Sequence, residues 1–399
     1  MTNKPQFVGE KQPLENRVDY VRGVTYKAAV DLHEELDDSS YVLLRANNIQ
    51  DGELRFDDVQ YVDRAKVKQK QLLRRGDILF CASSGSKGLV GKAALVRENM
   101  PVTFGAFCCV LRPKENEAEY LAHYFQSQQY RRAIEKVCSG SNINNLKAAN
   151  FFSLVVPHYD DGSTRVISAL FDSIDAQIKH AKDQIANLDS LVKSRFVEMF
   201  GDPCDPGSSS AKSRIDSFCE LRIGPFGSAL HKEDYITGGR PLVNPSHIIG
   251  GAIRPDENLT IDDDKYESLA AYHLLPGDVV LGRRGEIGRC AVVKTDGLIC
   301  GTGSMIIRPG QKVRSDYLQR VVSFPSFSHA LEANAVGVTM KNLNAKIVGS
   351  AEVFLPDLED QDAFISFVSQ IDKSRFVAQQ QIEKLQMLYD SLAQEYFGD

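Results

Sequence analysis

The sequence predicts an α+β fold in which two strand-rich globules stand in tandem repeat, separated and joined by two long helices that form an antiparallel coiled coil with pseudo-two-fold symmetry. Three observations carry this. Two long stretches each hold a narrow apolar stripe, the registers of those stripes match, and the strand and turn signals around them come twice in the same order.

The first stretch runs from about residue 165 to 202. Ile167, Leu170, Ile174, Ala181, Ile185, Leu188, Val192 and Met199 recur at spacings of three and four, and Ile178 adds one step that slightly breaks the heptad. A stripe this narrow is a coiled-coil seam rather than the broad face of a core helix. Asp161, Gly162, Ser163 and Thr164 offer N-caps, and Gly201 followed by Pro203 stops the helix. The second stretch, residues 357–399, places Ile371, Ala378, Ile382, Leu385, Tyr389, Leu392 and Tyr396 on its seam. Ile174-Asp175 falls on Ile371-Asp372, Ile185 on Ile382, Leu188 on Leu385, and Phe200-Gly201-Asp202 on Phe397-Gly398-Asp399. One offset, about half the chain length, relates all of these pairs. Two independent amphipathic helices would share neither register nor ending.

The repeat extends to the globules, expected over residues 1–160 and 203–356, with the helices at 161–202 and 357–399. Residues 33–40 read as an acidic surface loop, and 41–46 as a strand followed by Asn47-Asn48-Ile49. Residues 72–80, LLRRGDILF, read as a turn feeding a buried strand; a Gly/Ser loop over 83–92 leads into the strand AALV. A strand over 104–111 ends at Arg112-Pro113, a helix covers about 117–137, and the segment 139–146 precedes a last strand ending at Pro157. The second half answers in order: 242–248, the turn LLPGD at 274–278, the loop 284–289, Ile307-Arg308-Pro309, a helix from Tyr317, the segment 338–343, and Pro356. Repeats of this length are domain copies, not solenoid units.

Composition sets bounds on function. A chain of 399 residues with 25% charged side chains is an ordinary globular protein of two or three domains. No apolar run approaches the roughly 18 residues of a membrane helix, and the first residues lack a signal-peptide core. The eight cysteines include no CxxC, and Cys108-Cys109 suits a buried strand, so a reducing cytoplasm is expected. The eight histidines form no metal-ligand spacing. A net charge of −6 argues against nucleic-acid binding by the chain as a whole, but phosphate contacts are made by local patches.

Catalytic motifs fail on inspection. Residues 85–92, GSKGLVGK, lack the first glycine of a phosphate-binding loop, since Ser86 stands there, and Ala93 replaces the magnesium-binding Ser or Thr. Asn244-Pro245-Ser246-His247 superficially resembles the Asn-Pro-Pro-aromatic loop of amino-methyltransferases, where the aromatic ring stacks on a flipped adenine. No glycine-rich cofactor loop precedes it, and the first copy reads Arg45-Ala46-Asn47-Asn48, so a surface turn is the better reading. No catalytic pair recurs in both copies. The chain reads as a binder.

What does recur is a set of basic and polar loops. Lys87 and Lys92 correspond to Arg283, Arg284 and Arg289; Asn142, Asn144, Asn145 and Lys147 correspond to Thr339, Lys341, Asn342 and Asn344. With Arg45, Asn47, Asn48, Ser84 and Ser86 in the first copy, and Asn244, Ser246 and His247 in the second, these are the candidate DNA contacts. Lys and Arg suit phosphates, Arg forks onto guanine, and Asn reads adenine. Ordinary solvated turns account for any one of them; the repeated constellation is the argument.

Taken together, LLRRGDILF with LLPGDVVL, the glycine loops before KAALV and RCAVV, and the GSNINNL–strand–Pro module before each helix resemble the specificity subunit (HsdS) of type I restriction-modification systems across essentially the whole chain. The resemblance implies two target-recognition domains, each reading one half of a gapped, asymmetric site on double-stranded DNA. It also implies two HsdM-type methyltransferase subunits, which would supply S-adenosylmethionine, so that this chain binds no cofactor. HsdR-type restriction subunits can join them. Helices of roughly 35 residues span about 50 Å, which makes the coil a candidate ruler between half-sites. Two other readings stand beside this one: a coiled-coil protein–protein adaptor without DNA binding, and a self-contained enzyme.

Overall fold

The computed structural model describes residues 9–398, apart from 87, 115, 138–144, 205–211, 286 and 336–341. The chain forms two compact units, one of residues 1–183 with 378–399 and one of residues 184–377. Two helices of 40 residues, α1 (Asp161–Phe200) and α2 (Leu358–Phe397), match the two predicted seams. The units do not end where these helices begin. Each unit takes one part of α1 and one part of α2 together with a globule.

In the first unit an antiparallel sheet runs in the order Val18–Arg22, Cys108–Pro113, Ile78–Cys81, Ala93–Leu95. A second sheet runs Val102–Phe104, Ser40–Leu44, Gln60–Asp63, Leu32–His33, its first pair parallel. Glu10–Pro13 pairs with Val155–His158, which ties the start of the described chain to the strand leading into α1. The second unit repeats the first of these sheets as Cys219–Ile223, Ser304–Pro309, Val279–Gly282, Cys290–Val292. Its second sheet is Thr260–Ile261, Arg240–Val243, Leu298–Cys300, His273–Leu274.

The repeated Gly-Asp signature has a definite job. Gly76 and Gly277 sit at φ of 87° and 95°, a left-handed turn that a Cβ would strain. The following aspartate folds back to accept the backbone N–H three residues before it, Arg74 N to Asp77 Oδ2 at 2.9 Å and Leu275 N to Asp278 Oδ2 at 2.8 Å. Its carboxylate then takes a two-pronged hydrogen bond from the arginine of the Arg-Pro strand end. Arg112 meets Asp77 at 2.6 and 2.8 Å, and Arg308 meets Asp278 at 2.8 Å twice. Both aspartates are buried, so the charge is held only because the fork satisfies it. Two motifs far apart in sequence are therefore the two halves of one ion pair.

Two expected elements are broken. The helix expected over 117–137 is two helices, Ala118–Gln126 and Gln128–Val137. Ser127 divides them: its backbone turns extended, and its hydroxyl donates to Tyr124 O at 2.6 Å and accepts from Tyr130 N at 3.2 Å, capping the second helix. The strand expected over 104–111 is interrupted at residues 105–107, where Gly105 N–H turns to Leu44 O at 2.9 Å.

The helices meet in each unit through aromatic rings. In the first, Phe171 of α1 stacks on Phe397 with centroids 5.3 Å apart and meets Tyr389 edge-on at 4.8 Å. Further along α1, Ile178 shares that core with Ile382 and Leu385 of α2, so the two segments run antiparallel. In the second, Phe196 and Phe200 of α1 pack on Phe364 of α2 at 5.5 and 5.6 Å, and Asp189 pairs with Arg375. The seam itself differs in one place from expectation. Leu170 is 40% exposed while Phe171 is fully buried, because the globule widens the buried face beyond a two-helix stripe. We therefore expect Phe171→Ala to destabilise the first unit by about 3–5 kcal/mol, and Leu170→Ala to cost no more than about 1 kcal/mol. Urea unfolding of the full chain checks this, and equal losses would restore Leu170 to the seam.

Candidate nucleic-acid interface

The first group of candidates lies in a short 3-10 turn that both units build alike. In the first unit Asn48 closes the turn: its Oδ1 accepts from Arg45 N at 2.8 Å, and its Nδ2 donates to Arg55 O and Asp58 O at 2.8 and 2.9 Å. His247 takes that place in the second unit, with Nδ1 2.7 Å from Leu242 O and 3.3 Å from Asn244 N. Both side chains are buried and committed to their own backbone. Asn48 and His247 are thus corrected from candidate contacts to turn-holding residues. The turn they hold presents Arg45 and Asn47 in one unit and Asn244 and Ser246 in the other; Asn47 and Ser246 are exposed, Arg45 and Asn244 half-buried.

The second group follows the buried strand of the Gly-Asp motif. Equivalent positions are identified by their backbone bonds. Ala82 N and Arg283 N donate to Phe107 O and Gly303 O, both at 2.9 Å; Leu146 N and Leu343 N then donate to Ala82 O and Arg283 O at 2.7 and 3.0 Å. Arg283 therefore matches Ala82, not a lysine of the first copy. It is only 5% exposed, and its guanidinium donates to Thr302 O at 3.1 Å and Leu343 O at 3.4 Å. Burial first, and the neighbouring Arg284 charge second, push its pKa below the ordinary arginine value. Arg283 is a second correction: it braces the loop from inside.

Arg284, one residue on, is exposed and forms an isolated β-bridge with Asn342, as Ser83 does with Asn145. These bridges bring the second and third loop groups together in each unit. Asn342 Oδ1 is buried with no hydrogen-bond partner among the described residues, while Asn145 is exposed. Asn344 is committed as an N-cap, its Oδ1 accepting from Ile347 N at 2.9 Å, and Lys147 lies exposed at the start of Ala148–Phe152. Ser84 Oγ accepts from Ser86 N at 3.2 Å. Lys92 and Arg289 occupy matched places, their carbonyls accepting from Cys81 N and Gly282 N at 2.9 and 2.8 Å. Lys92 lines a hollow beside α1 with Asp175, Ile178 and Lys182, apart from the cleft formed by the other groups. Lys87, Asn142, Asn144, Thr339 and Lys341 lie outside the described residues.

In the first unit Arg45, Asn47 and Ser84 line a cleft of about 870 Å³. Three of its other residues, Tyr26, Gln60 and Phe107, were not legible as site residues. Phe107 was hidden inside an apolar run that reads as continuous strand; the glycine at 105 is the signal that could have exposed it. Among the described residues no three His, Cys, Asp or Glu side chains gather as metal ligands, and no helix is long and apolar enough to cross a membrane.

Residues 22–188 and 209–387 each match the family described as type I restriction modification DNA specificity domain. The chain is 28% identical over 382 residues to the type I restriction enzyme EcoKI specificity subunit of Escherichia coli (strain K12), covering 90% of this chain and 81% of that one. It is 35% identical over 182 residues to the StySPI specificity subunit of Salmonella potsdam, covering 45% of this chain and 39% of that one. Among solved structures, it resembles the type I restriction-modification S subunit from M. genitalium with a TM-score of 0.53 at 14% identity, covering 100% and 98% of the two chains. A chain from a type I R-M system, solved to describe complex assembly and conformational transition, gives a TM-score of 0.57 at 15% identity over 99% and 100%. At such identities the likeness is one of fold.

Two neighbouring arginines separate structure from contact. Arg284→Ala is expected to weaken duplex binding and lower the salt slope by about one, whereas Arg283→Ala lowers the melting temperature and leaves the slope unchanged. Salt titrations of DNA binding beside thermal melts check this, and the reverse pattern would place Arg283 on the DNA.

Proposed function

Since the chain belongs to the type I restriction-modification DNA specificity family, we propose that its two units each read one half of an asymmetric, gapped site on double-stranded DNA. It is a DNA-recognition subunit, the non-catalytic member of its kind of complex, and the adaptor without DNA binding is set aside. The observation that supports two different half-sites is the pairing of one framework with two different sets of exposed and half-buried polar residues. The Asp–Arg fork and the 3-10 turn recur, while Arg45, Asn47 and Asn145 in one unit stand against Asn244, Ser246 and Arg284 in the other. Phosphate contacts would supply affinity and base-edge contacts identity.

Its partners in this reading are two HsdM-type methyltransferase subunits, which carry S-adenosylmethionine and the adenine-methylating chemistry, joined in the restriction complex by HsdR-type subunits. The free thiols of Cys81, Cys108, Cys109, Cys219, Cys290 and Cys300, all buried, suit the reducing cytoplasm where such a complex works. Sequencing methylated adenines in host DNA with and without this gene tests the reading. One bipartite, asymmetric motif should vanish with the gene; an unchanged methylome would contradict it.

In this reading the long helices set the gap. An α-helix of 40 residues is about 60 Å long, and four residues inserted near Ala186 would add about 6 Å while nearly keeping the seam in phase. With B-DNA rising 3.4 Å per base pair, the methylated motif should gain one or two base pairs of gap and keep both half-sites. Two residues at the same place rotate the seam by about 200° and should abolish assembly. A four-residue insertion that left an active protein with its gap unchanged would take the spacing role away from the helices.

A further inference from the structure

Among the described residues, the cleft of the first unit has a composition unlike a phosphate grip. Arg45, its cationic residue nearest the turn, is already paired with Asp58 at 2.8 Å. Asn47 also donates to Asp58, at 2.9 Å, and Tyr26 donates its hydroxyl to Gln60 Oε1 at 3.2 Å. A neutralised arginine, a carboxylate and two amides suit the donors and acceptors of base edges rather than a phosphodiester, which wants unpaired positive charge.

Phe107 stands at this cleft. It is 69% exposed, at a turn between two strands of the core. Most of the residue faces solvent, yet its backbone is fixed. Its carbonyl accepts from Ala82 N at 2.9 Å and Ser83 N at 3.0 Å, and the turn is closed by Cys108 N to Gly105 O at 2.8 Å. A large apolar side chain offered to water from a hydrogen-bonded backbone, beside groups suited to base edges, is the arrangement of a wedge that enters a base step.

The second unit shows what this position looks like without a wedge. Its equivalent is Gly303, where an added Cβ would come within 2.9 Å of Pro245 Cδ. Pro245 opens the 3-10 turn there, and Ala46 holds that place in the first unit. Proline in the turn goes with glycine opposite, and alanine in the turn goes with phenylalanine opposite. The wedge is thus a feature of one unit, independent of the framework common to both.

On the reading of the units as DNA readers, we propose that Phe107 inserts between two stacked bases of the half-site bound by the first unit. Asn47, Gln60 and Asp58 would then meet the edges of the bases it parts. The step it enters is distinguished by how readily it unstacks, which favours flexible pyrimidine–purine steps. Phe107 is therefore a specificity-determining residue that reads deformability.

The test uses the full chain assembled with its partner methyltransferase, and duplexes carrying its own site, known from the methylome. 2-Aminopurine is placed at successive positions of the half-site, leaving the methylated adenine unlabelled, because methyltransferases flip that base themselves. Fluorescence should rise severalfold at the positions flanking one step. Phe107→Ala should abolish the rise and weaken binding about tenfold, with the melting temperature unchanged, whereas Phe107→Leu should keep both. Site-specific binding with no brightening at any position would overturn the wedge while leaving the DNA-reading role intact. So would a Phe107-dependent loss on replacing thymine by uracil without brightening, since that marks a contact to the thymine methyl group. Failure of site-specific binding by the unaltered complex would instead sink the parent reading.

Discussion

In each unit one phenylalanine at the end of a long helix closes the core of a globule, and in the first unit that phenylalanine is far removed from its globule in sequence. Phe397 packs on Tyr120 and Tyr124 at 5.3 and 5.7 Å and stacks on Phe171, and Tyr159 donates its hydroxyl to Tyr396 O at 3.0 Å. Phe200 meets Tyr317 at 5.2 Å and Phe364 at 5.6 Å. The identical Phe-Gly-Asp endings are thus two copies of one plug. In the first unit its consequence is that the globule and the α2 segment that completes it are separated by much of the chain. The first unit cannot bury its core until the end of α2 is in place, so the helices are part of the domains as much as connectors between them. Cores assembled this way depend on long-range contacts, and these demand agreement between both copies of the repeat.

The two sheets of each globule then serve to fix loops. The Asp77–Arg112 and Asp278–Arg308 forks lock a left-handed turn to the end of the neighbouring strand. Asn48 and His247 lock the 3-10 turn, and Arg283 braces its loop from beneath. With the backbone held, the exposed positions are free to differ. That is the physical basis for one framework carrying two recognition surfaces: inward-pointing side chains hold the backbone of each turn, and the outward-pointing ones differ between the units.

The repeat, the long helices and the succession of core-strand signals along the chain were legible because periodicity and a shared offset survive without any structure. The strands Glu10–Pro13, Val18–Arg22 and Leu32–His33 and the pairing of strands into sheets were not, and neither were two breaks. The helix break at Ser127 rests on a hydroxyl choosing between solvent and a cap, and the break at 105–107 falls inside a run whose apolar residues read as buried strand. The site was partly legible. Asn47, Ser246 and Arg284 are exposed and Arg45 and Ser84 half-buried, but Asn48, His247 and Arg283 share the same composition and turn inward. A polar side chain in a turn is either held by the turn or offered by it, and only the bonds of its neighbours tell which. Phe107 escaped for the opposite reason, since an apolar residue in an apolar run gives no sign that it is exposed.

The central claim is that each unit reads DNA by itself, with residues displayed on a framework that does not change. Adenine-methylation sequencing of cells whose chain carries Ser246→Ala together with Arg284→Ala tests it most directly. The account predicts a motif in which one half-site loses base identity at one or more positions, while the other half-site and the gap stay as they were. Relaxation of both half-sites together, or an unaltered motif at full occupancy, would contradict it.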